Sequence, residues 1–442
     1  MQNSTFYFIG IGGIGMSSIA RYLIGLGAKV GGYDKTPSAI TASLVDNGAC
    51  ITFDEGVAAI PSAFKQIETR VIFTPAIPAN HSQLQFYQKQ GNNLLKRAAF
   101  LGEITKEMST LAVAGTHGKT TTTSILAHFF LCLDSPFTAF VGGVMNAQQT
   151  NLISTGNRVA LVEADEFDRS FLALSPKIAC ITSTDADHLD IYGTAEELSD
   201  SYRAFGERVS DVLVLEKRVP LDGVTYSIYE KADYFITAIR PEGFGYRFDL
   251  QSPKGSYDDL YFSQLGLHNL SNALAAFAMS SEFGLKEQLL TKAFGSFEGV
   301  NRRLQLIVEN DQHVLIDDYA HHPTEINAVF ETLENAYPDE QKSVIFQPHL
   351  FTRTRDFMDD FAASLSQFDE VILLSIYPAR ELPIPGVHAE ALAKKIDSKK
   401  TVSVVEKDQL LQRVKGLKPR VKVVLGAGDI GLEVEKIKQI LA

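Results

Sequence analysis

The chain has 442 residues, of which 45% are hydrophobic and 21% charged, a composition of ordinary globular character and a length that suggests about three domains. Its 41 Lys and Arg against 53 Asp and Glu give a net charge of −12. That balance speaks against a nucleic-acid partner, so any anionic ligand must be held by local cations. No apolar run approaches the roughly 20 residues of a membrane span, and the N-terminus lacks a basic n-region, so no signal peptide and no membrane partner are expected. Cys50, Cys132 and Cys180 are widely spaced among apolar neighbours and read as buried reduced thiols of a cytoplasmic protein.

The first predicted strand, Thr5 to Ile9, runs into Gly10-Ile11-Gly12-Gly13-Ile14-Gly15 and then an amphipathic helix to about Leu26. A second strand, Lys29 to Tyr33, ends at Asp34. This is a G-x-G-x-x-G turn between strand and helix with an acid about twenty residues on, the pattern of a dinucleotide site. Gly10, Gly12, Gly13, Ile14 and Gly15 are therefore candidate ligands of a diphosphate, with Asp34 as the acid that accompanies such a site. Close helix–strand packing without a ligand is the alternative. The turn reads pyrophosphate only, so the nucleotide stays open. Thr74 and Pro75 follow a further strand, Arg70 to Phe73, where open α/β sheets line their ligand crevice.

Residues 110–123 read TLAVAGTHGKTTTT. An apolar strand breaks into a glycine-bounded loop, Gly115-Thr116-His117-Gly118, and resumes as a helix from Lys119. Backbone amides of such a turn wrap a polyphosphate, Lys119 supplies charge to the outer phosphates, and the Thr120 hydroxyl suits Mg²⁺, with Thr121 next in line. The spacing is shorter than a full G-x-x-x-x-G-K-[ST], since Val113 and Ala114 stand where an earlier glycine belongs. Two later strands end in acids, at Glu163-Ala164-Asp165-Glu166 and at Asp185-Ala186-Asp187-His188, where oxygen ligands for Mg²⁺ belong. Leu267-His268-Asn269-Leu270-Ser271-Asn272 opens an apolar helix and reads at least equally as a capped helix start.

The last third repeats the strand–loop–helix pattern and implies another parallel sheet. Asn301-Arg302-Arg303-Leu304 precedes a strand ending in Asp317-Asp318-Tyr319-Ala320-His321-His322-Pro323. Another ends in Gln347-Pro348-His349 ahead of Arg353 and Arg355. His321, His322 and His349 with the arginines form a cationic set suited to a carboxylate, although paired histidines also cap helices. Gly426-Ala427-Gly428-Asp429-Ile430-Gly431 reads as a tight turn before the final helix.

Together, GIGGIGMS, AGTHGKTTT, EADE, DADHLDIY, HNLSNA, NRRL, DDYAHHPTEI, FQPHLFTRTRD and GAGDIG resemble the ATP-dependent Mur ligases of peptidoglycan synthesis over essentially the whole chain. Phosphate-loop motifs alone are shared with folylpolyglutamate synthetases, whereas YAHHPTEI and DADHLD favour the alanine-adding branch. The resemblance implies an α/β protein of three domains: a Rossmann-like UDP-sugar domain (1–106), a central P-loop ATPase-type domain with a parallel or mixed sheet (107–300), and a C-terminal Rossmann-like domain closing over ATP and amino acid (301–442). It implies ATP and Mg²⁺ as cofactors, UDP-N-acetylmuramate and L-alanine as substrates, and a monomer or weak homodimer.

By motif, Gly10, Gly12, Gly13, Ile14, Gly15, Asp34, Thr74 and Pro75 would hold the UDP moiety. Gly115, Thr116, Gly118, Lys119, Thr120 and Thr121 would hold the ATP phosphates, with Thr120, Glu163 and His188 at Mg²⁺. Asn269 and Asn272 would meet adenine, Asp318 the ribose, and Arg303, less so Arg302, the terminal phosphate. Lys119, His117, His321, His349 and Arg353 would be the catalytic set. Tyr319, His321, His322, His349 and Arg353 would surround the amino acid. Two departures stand out. Many relatives carry His-Arg-Tyr-Thr-Arg where this chain has His349-Leu350-Phe351-Thr352-Arg353, so one guanidinium is missing. Several also carry a carbamylated lysine at about the place of Arg203, so no such modification is expected here. Competing readings are a tripeptide-adding recycling ligase, an NAD-dependent oxidoreductase suggested by the first turn, and a non-catalytic nucleotide switch.

Overall fold

The computed structural model describes residues 1–185, 192–379 and 381–442, with the side chain of residue 195 also left aside. Among them lie three sheets that follow one another along the chain. The first comprises β1 (Thr5–Ile9), β2 (Lys29–Tyr33), β3 (Cys50–Thr52), β4 (Arg70–Phe73) and β5 (Leu94–Lys96) in the order β3-β2-β1-β4-β5, all parallel. The chain leaves β1 on one side to β2 and returns on the other to β4. The switch point therefore falls at the carboxyl end of β1, where Gly10 begins the glycine turn into helix α1 (Ile14–Gly25).

The second sheet takes β6 (Ser109–Ala114), β7 (Thr138–Met145), β8 (Thr150–Ser154), β9 (Val159–Glu163), β10 (Ile178–Ile181), β11 (Val212–Glu216), β12 (Val224–Ser227), β13 (Tyr234–Glu242), β14 (Gly245–Ser252) and β15 (Gly255–Phe262). Their order is β15-β14-β13-β12-β11-β10-β6-β9-β7-β8. β6 lies parallel between β9 and β10, so its carboxyl end is flanked by the ends of both acidic strands. The third sheet, β16 (Gln305–Glu309), β17 (Val314–Asp318), β18 (Lys342–Phe346), β19 (Glu370–Leu374), β20 (Thr401–Val405) and β21 (Val421–Leu425), runs β16-β17-β21-β18-β19-β20. It is parallel except for the antiparallel β16. The α/β class with parallel and mixed sheets matches the expectation.

The chain folds into two compact units. One comprises Met1–Ile239, Arg247–Phe262 and Ser271–Glu298, and the other Arg240–Tyr246, Ser263–Leu270 and Gly299–Ala442. Within the first, the first two sheets share a core. Phe6, Phe8 and Ile19 belong to the same buried cluster as Phe140, Val162 and Phe171, and Tyr22 of α1 meets Phe140 of β7 edge-on at 5.4 Å, a pair worth about 0.5–1.5 kcal/mol beyond its area. Asn151 of β8 is buried and donates to Ile14 O at 2.6 Å and to Ser17 Oγ at 2.9 Å. The helix that carries the glycine turn is thereby fixed on the second sheet. In the second unit, alternate residues of the parallel strands feed two cores. Ile316, Val344 and Val423 face one, and Leu315, Ile345 and Val424 the other, as strands covered on both sides require.

The thiols correct one expectation. All three cysteines are free, but only Cys180, on the central strand β10, is buried. Cys50 starts the edge strand β3 and Cys132 ends a helix, where apolar neighbours in sequence do not cover a side chain. Among the described residues, no helix is long and apolar enough to cross a membrane.

Candidate active site

β6 is buried from Thr110 to Ala114, and the chain then turns through Gly115 to Gly118 into helix α3 (Lys119–Cys132), the intervening α2 (Arg97–Thr105) having followed β5. Both loop glycines sit in the left-handed region, at φ +127° and +84°. A Cβ on Gly115 would lie 2.1 Å from Thr182 Oγ1, and one on Gly118 2.3 Å from Asn272 Oδ1. Only glycine fits here, and the turn is clamped between the end of β10 and helix α4 (Leu267–Glu282). The first N–H groups of α3 have no helical acceptor, which is the arrangement that takes phosphate oxygens.

Lys119 heads α3. Its Nζ donates to Gly115 O at 2.6 Å and Thr116 O at 3.2 Å, and lies 2.9 and 2.8 Å from the two carboxylate oxygens of Glu166. Burial alone would lower the ammonium's pKa, but Glu166, Asp165 and Glu163 outweigh it and raise the value above the ordinary one. The lysine is thus charged and preplaced, and a phosphate reaching the loop competes with Glu166 for it. Sequence reading missed this partner. Glu163 and Glu166 look alike in E-A-D-E, but Glu163 ends β9 whereas Glu166 lies in the turn beyond it, 1% exposed as a side chain.

The Thr120 hydroxyl donates to Glu163, 3.0 Å from each oxygen. Glu163 packs on Gly142, where a Cβ would come within 1.9 Å of Oε2. A hydroxyl and a carboxylate beside the phosphate loop fit Mg²⁺, which takes one or two protein oxygens and fills its octahedron with water and phosphate. His188, the third expected ligand, lies outside the described residues, as do Ala186 and Asp187. Among the described residues no group of three or more acids, histidines or cysteines is placed so that it could hold a metal ion. His117 donates its N–H to Ser183 Oγ at 3.1 Å, and its Nε2 lies 3.8 Å from Asp185 Oδ2. Thr116 and Thr121 are buried.

At the glycine turn of the first sheet, Gly10 has φ +89° and packs on Thr74, whose Cγ2 would meet a Cβ at 2.9 Å. Pro75 follows in the same turn, closed by Ile77 N–H to Thr74 O at 3.0 Å. Asp34 Oδ2 accepts the Gly12 N–H at 2.7 Å, and Oδ1 the Thr36 N–H at 3.2 Å. The acid expected in the UDP site thus braces the turn itself. Gly13 caps α1 in extended conformation, and Ile14 and Gly15 present the first helical N–H groups.

In the second unit, β17 ends at Asp317 and Asp318. Burial raises both carboxyls to about 6, against the opposing pull of Arg302 on Asp317 and Arg303 on Asp318. Asp318 accepts N–H groups of Leu304 and Ala320, each at 2.7 Å, so the residue expected at ribose also shapes the NRRL and YAHH turns. Arg302 is engaged with Asp317 at 3.2 Å and with Gly426 O at 2.5 Å. Arg303 lies over the Tyr319 ring at 5.2 Å. Asn269 donates to Leu265 O at 2.8 Å.

His321 Nδ1 lies 2.9 Å from Tyr319 O and 3.4 Å from Glu325 Oε2. Both are acceptors, so Nδ1 carries the proton and Nε2 the lone pair. Burial lowers the imidazole pKa, Glu325 raises it, and Arg353 and Arg303 push it down further; the net is below the usual value. His322 caps helix α5 (Pro323–Ala336), accepting Thr324 N–H at 3.3 Å, so it serves as the helix-start cap weighed in the sequence. The His349 ring lies 5.9 Å from that of His321 and stacks on Tyr377 at 5.7 Å and 15°. Tyr377 carried no motif and was missed; it binds the same turn through Pro348 O and Leu350 N–H. Leu350, in the place of the missing arginine, is buried at φ +72° and precedes helix α6 (Phe351–Asp356), which carries Arg353.

Comparison with known proteins matches the chain to three domain models in order: the Mur ligase family catalytic domain over residues 5–108, the Mur ligase middle domain over 113–280, and the Mur ligase glutamate ligase domain over 302–429. It is similar to the UDP-N-acetylmuramate–L-alanine ligase of Flavobacterium johnsoniae, 49% identical over 442 residues covering 100% of this chain and 98% of that protein. The crystal structure of the UDP-N-acetylmuramate–alanine ligase of Thermotoga maritima superposes with a TM-score of 0.85 at 26% identity, covering 99% and 98% of the two chains. A murein peptide ligase from Psychrobacter arcticus shares the fold, with a TM-score of 0.73 at 20% identity over 99% and 98%. With every domain model matched in sequence and near-half identity to a relative along its whole length, the chain belongs to the Mur ligase family.

Proposed function

We infer that this protein is an ATP-dependent ligase that joins L-alanine to the muramoyl carboxylate of UDP-N-acetylmuramate, releasing ADP and phosphate, in peptidoglycan synthesis. The observation that carries the reading is the full-length correspondence, at 49% identity, to a ligase of that name. The phosphate loop, with its preplaced lysine, supports it from the chemistry side.

A carboxylate cannot expel oxide to form an amide, so the substrate carboxylate attacks the γ-phosphorus of ATP and ADP leaves. The acyl phosphate then meets the amine of alanine, and the tetrahedral intermediate expels phosphate. Lys119 exchanges Glu166 for phosphate oxygens and offsets charge on the transferring group. Thr120 and Glu163 are the described residues that would hold Mg²⁺, which when bound neutralises phosphate charge. His321, with its lone pair on Nε2, suits removal of a proton from the alanine ammonium, and Arg353 suits the alanine carboxylate. The glycine turn of the first sheet suits the UDP diphosphate. A cytoplasmic enzyme, monomeric or weakly dimeric, with no nucleic-acid or membrane partner, completes the reading.

The test is phosphate release from ATP with UDP-N-acetylmuramate and, separately, alanine, glycine, serine or a muropeptide tripeptide. Alanine should give the highest kcat/KM, with glycine about 10–200-fold lower, the range one methyl group allows. Lys119→Ala should abolish release. Tripeptide outperforming alanine would assign the recycling reaction instead, and release independent of any amino acid would refute the scheme.

A further inference from the structure

We propose that Arg97 is a ligand of the substrate's diphosphate, held at the first turn of α1 by a loose bond to Asp165. The inference rests on the nucleotide-sugar reading above. Arg97 is the first residue of α2, directly after β5, so its side chain starts from the carboxyl end of the first sheet, the edge at which open α/β sheets take ligands. Its guanidinium packs on the glycine turn. A Cβ on Gly15 would lie 2.9 Å from Arg97 Nη1 and 3.3 Å from Cδ. Gly15 is the second residue of α1, so the cation stands beside the helix's first N–H groups. With no side chain on Gly15, the guanidinium lies directly against the glycine turn.

The arginine is also under-used. Its side chain is 21% exposed, and among the described residues its one hydrogen bond runs from Nη2 to Asp165 Oδ2 at 3.4 Å. Charge-assisted pairs of this kind close to about 2.7–2.9 Å when they are committed. The tie between this strand end and the acidic loop is carried by the neighbouring Lys96, 2.7 Å from Asp168 Oδ2. Asp165 meanwhile spends Oδ1 on the Phe167 N–H at 3.1 Å. A part-buried guanidinium with unspent donors, next to the N–H groups of a helix start, complements a diphosphate. The helix supplies the amides and the arginine a planar fork. On binding, the diphosphate replaces Asp165 at Arg97.

The test is calorimetric binding of UDP and of uridine to the full-length protein and to Arg97→Ala, Arg97→Lys and Asp165→Asn. The wild type should prefer UDP. Arg97→Ala should weaken UDP by about ten- to a hundredfold, the loss of hydrogen bonds to a charged group, and leave uridine unchanged. Arg97→Lys, which keeps the charge but not the fork, should fall between. Asp165→Asn breaks the same ion pair from its other side and should bind UDP at least as tightly as the wild type. Equal weakening in Arg97→Ala and Asp165→Asn would make the arginine a strut and overturn the proposal, as would a wild-type UDP-to-uridine ratio in Arg97→Ala. A wild type that does not distinguish UDP from uridine would remove the nucleotide-sugar reading itself, and this inference with it.

Discussion

His321 shows how a neighbourhood of a few residues sets a chemical role. Its Nδ1 faces two acceptors and its Nε2 keeps the lone pair. Burial, with Arg353 and Arg303, holds its pKa below the ordinary 6.5 while Glu325 resists. In the proposed reaction the neutral ring is the base, so activity should be lost as pH falls through a value below 6.5 and retained above it. Replacing Glu325 by Gln keeps an acceptor for the backbone N–H groups of His321 and His322 but removes the charge that favours the imidazolium. The acid limb of kcat/KM for alanine should then move to still lower pH, and in His321→Gln it should vanish with most of the rate. An upward shift in Glu325→Gln would assign that limb to another group.

At the scale of elements, the phosphate loop is over-determined: two left-handed glycines, each with a neighbour where its Cβ would stand. Gly118→Ala combines an unfavourable φ of +84° with a contact of 2.3 Å to Asn272 Oδ1, so it should cost at least about 1 kcal/mol of stability. It should also displace Asn272 and weaken ATP binding. A thermal melt and an ATP titration read the two effects, and an unchanged melt with unchanged affinity would show that the loop is softer than this geometry. The loop, the glycine turn and the strand–helix alternation were legible in the sequence because they are local. Turn chemistry and apolar runs fix them within some fifteen residues. Contacts between distant segments were not legible. The shared core of the first two sheets joins α1 to β7, the pairing of Glu166 with Lys119 spans 47 residues, and the stack of Tyr377 on His349 lies outside any motif. His322 was legible only as two alternatives, and its helix cap settles the use of its Nδ1. The exposure of Cys50 and Cys132 depended on sheet edges and helix ends that neighbouring residues do not reveal.

For the molecule as a whole, net charge and ligand charge have the same sign. The chain carries −12, and both nucleotide substrates of the proposed reaction are anions. Long-range repulsion therefore opposes encounter, whereas binding depends on a few short-range cations such as Lys119. These terms separate by screening, because the Debye length is about 30 Å at 0.01 M salt and about 10 Å at 0.1 M. Added salt first removes the distant repulsion, since the whole-protein field acts over tens of ångströms. The part-buried Lys119 is shielded from that screening by its surroundings, with its side chain 13% exposed. kcat/KM for UDP-N-acetylmuramate should accordingly rise, or at least hold, between about 10 and 100 mM monovalent salt. A basic protein steering the same ligand would lose rate steeply over that interval. A monotonic fall of severalfold here would mean that a positive field around the glycine turn overrides the net charge, and that encounter is steered rather than resisted.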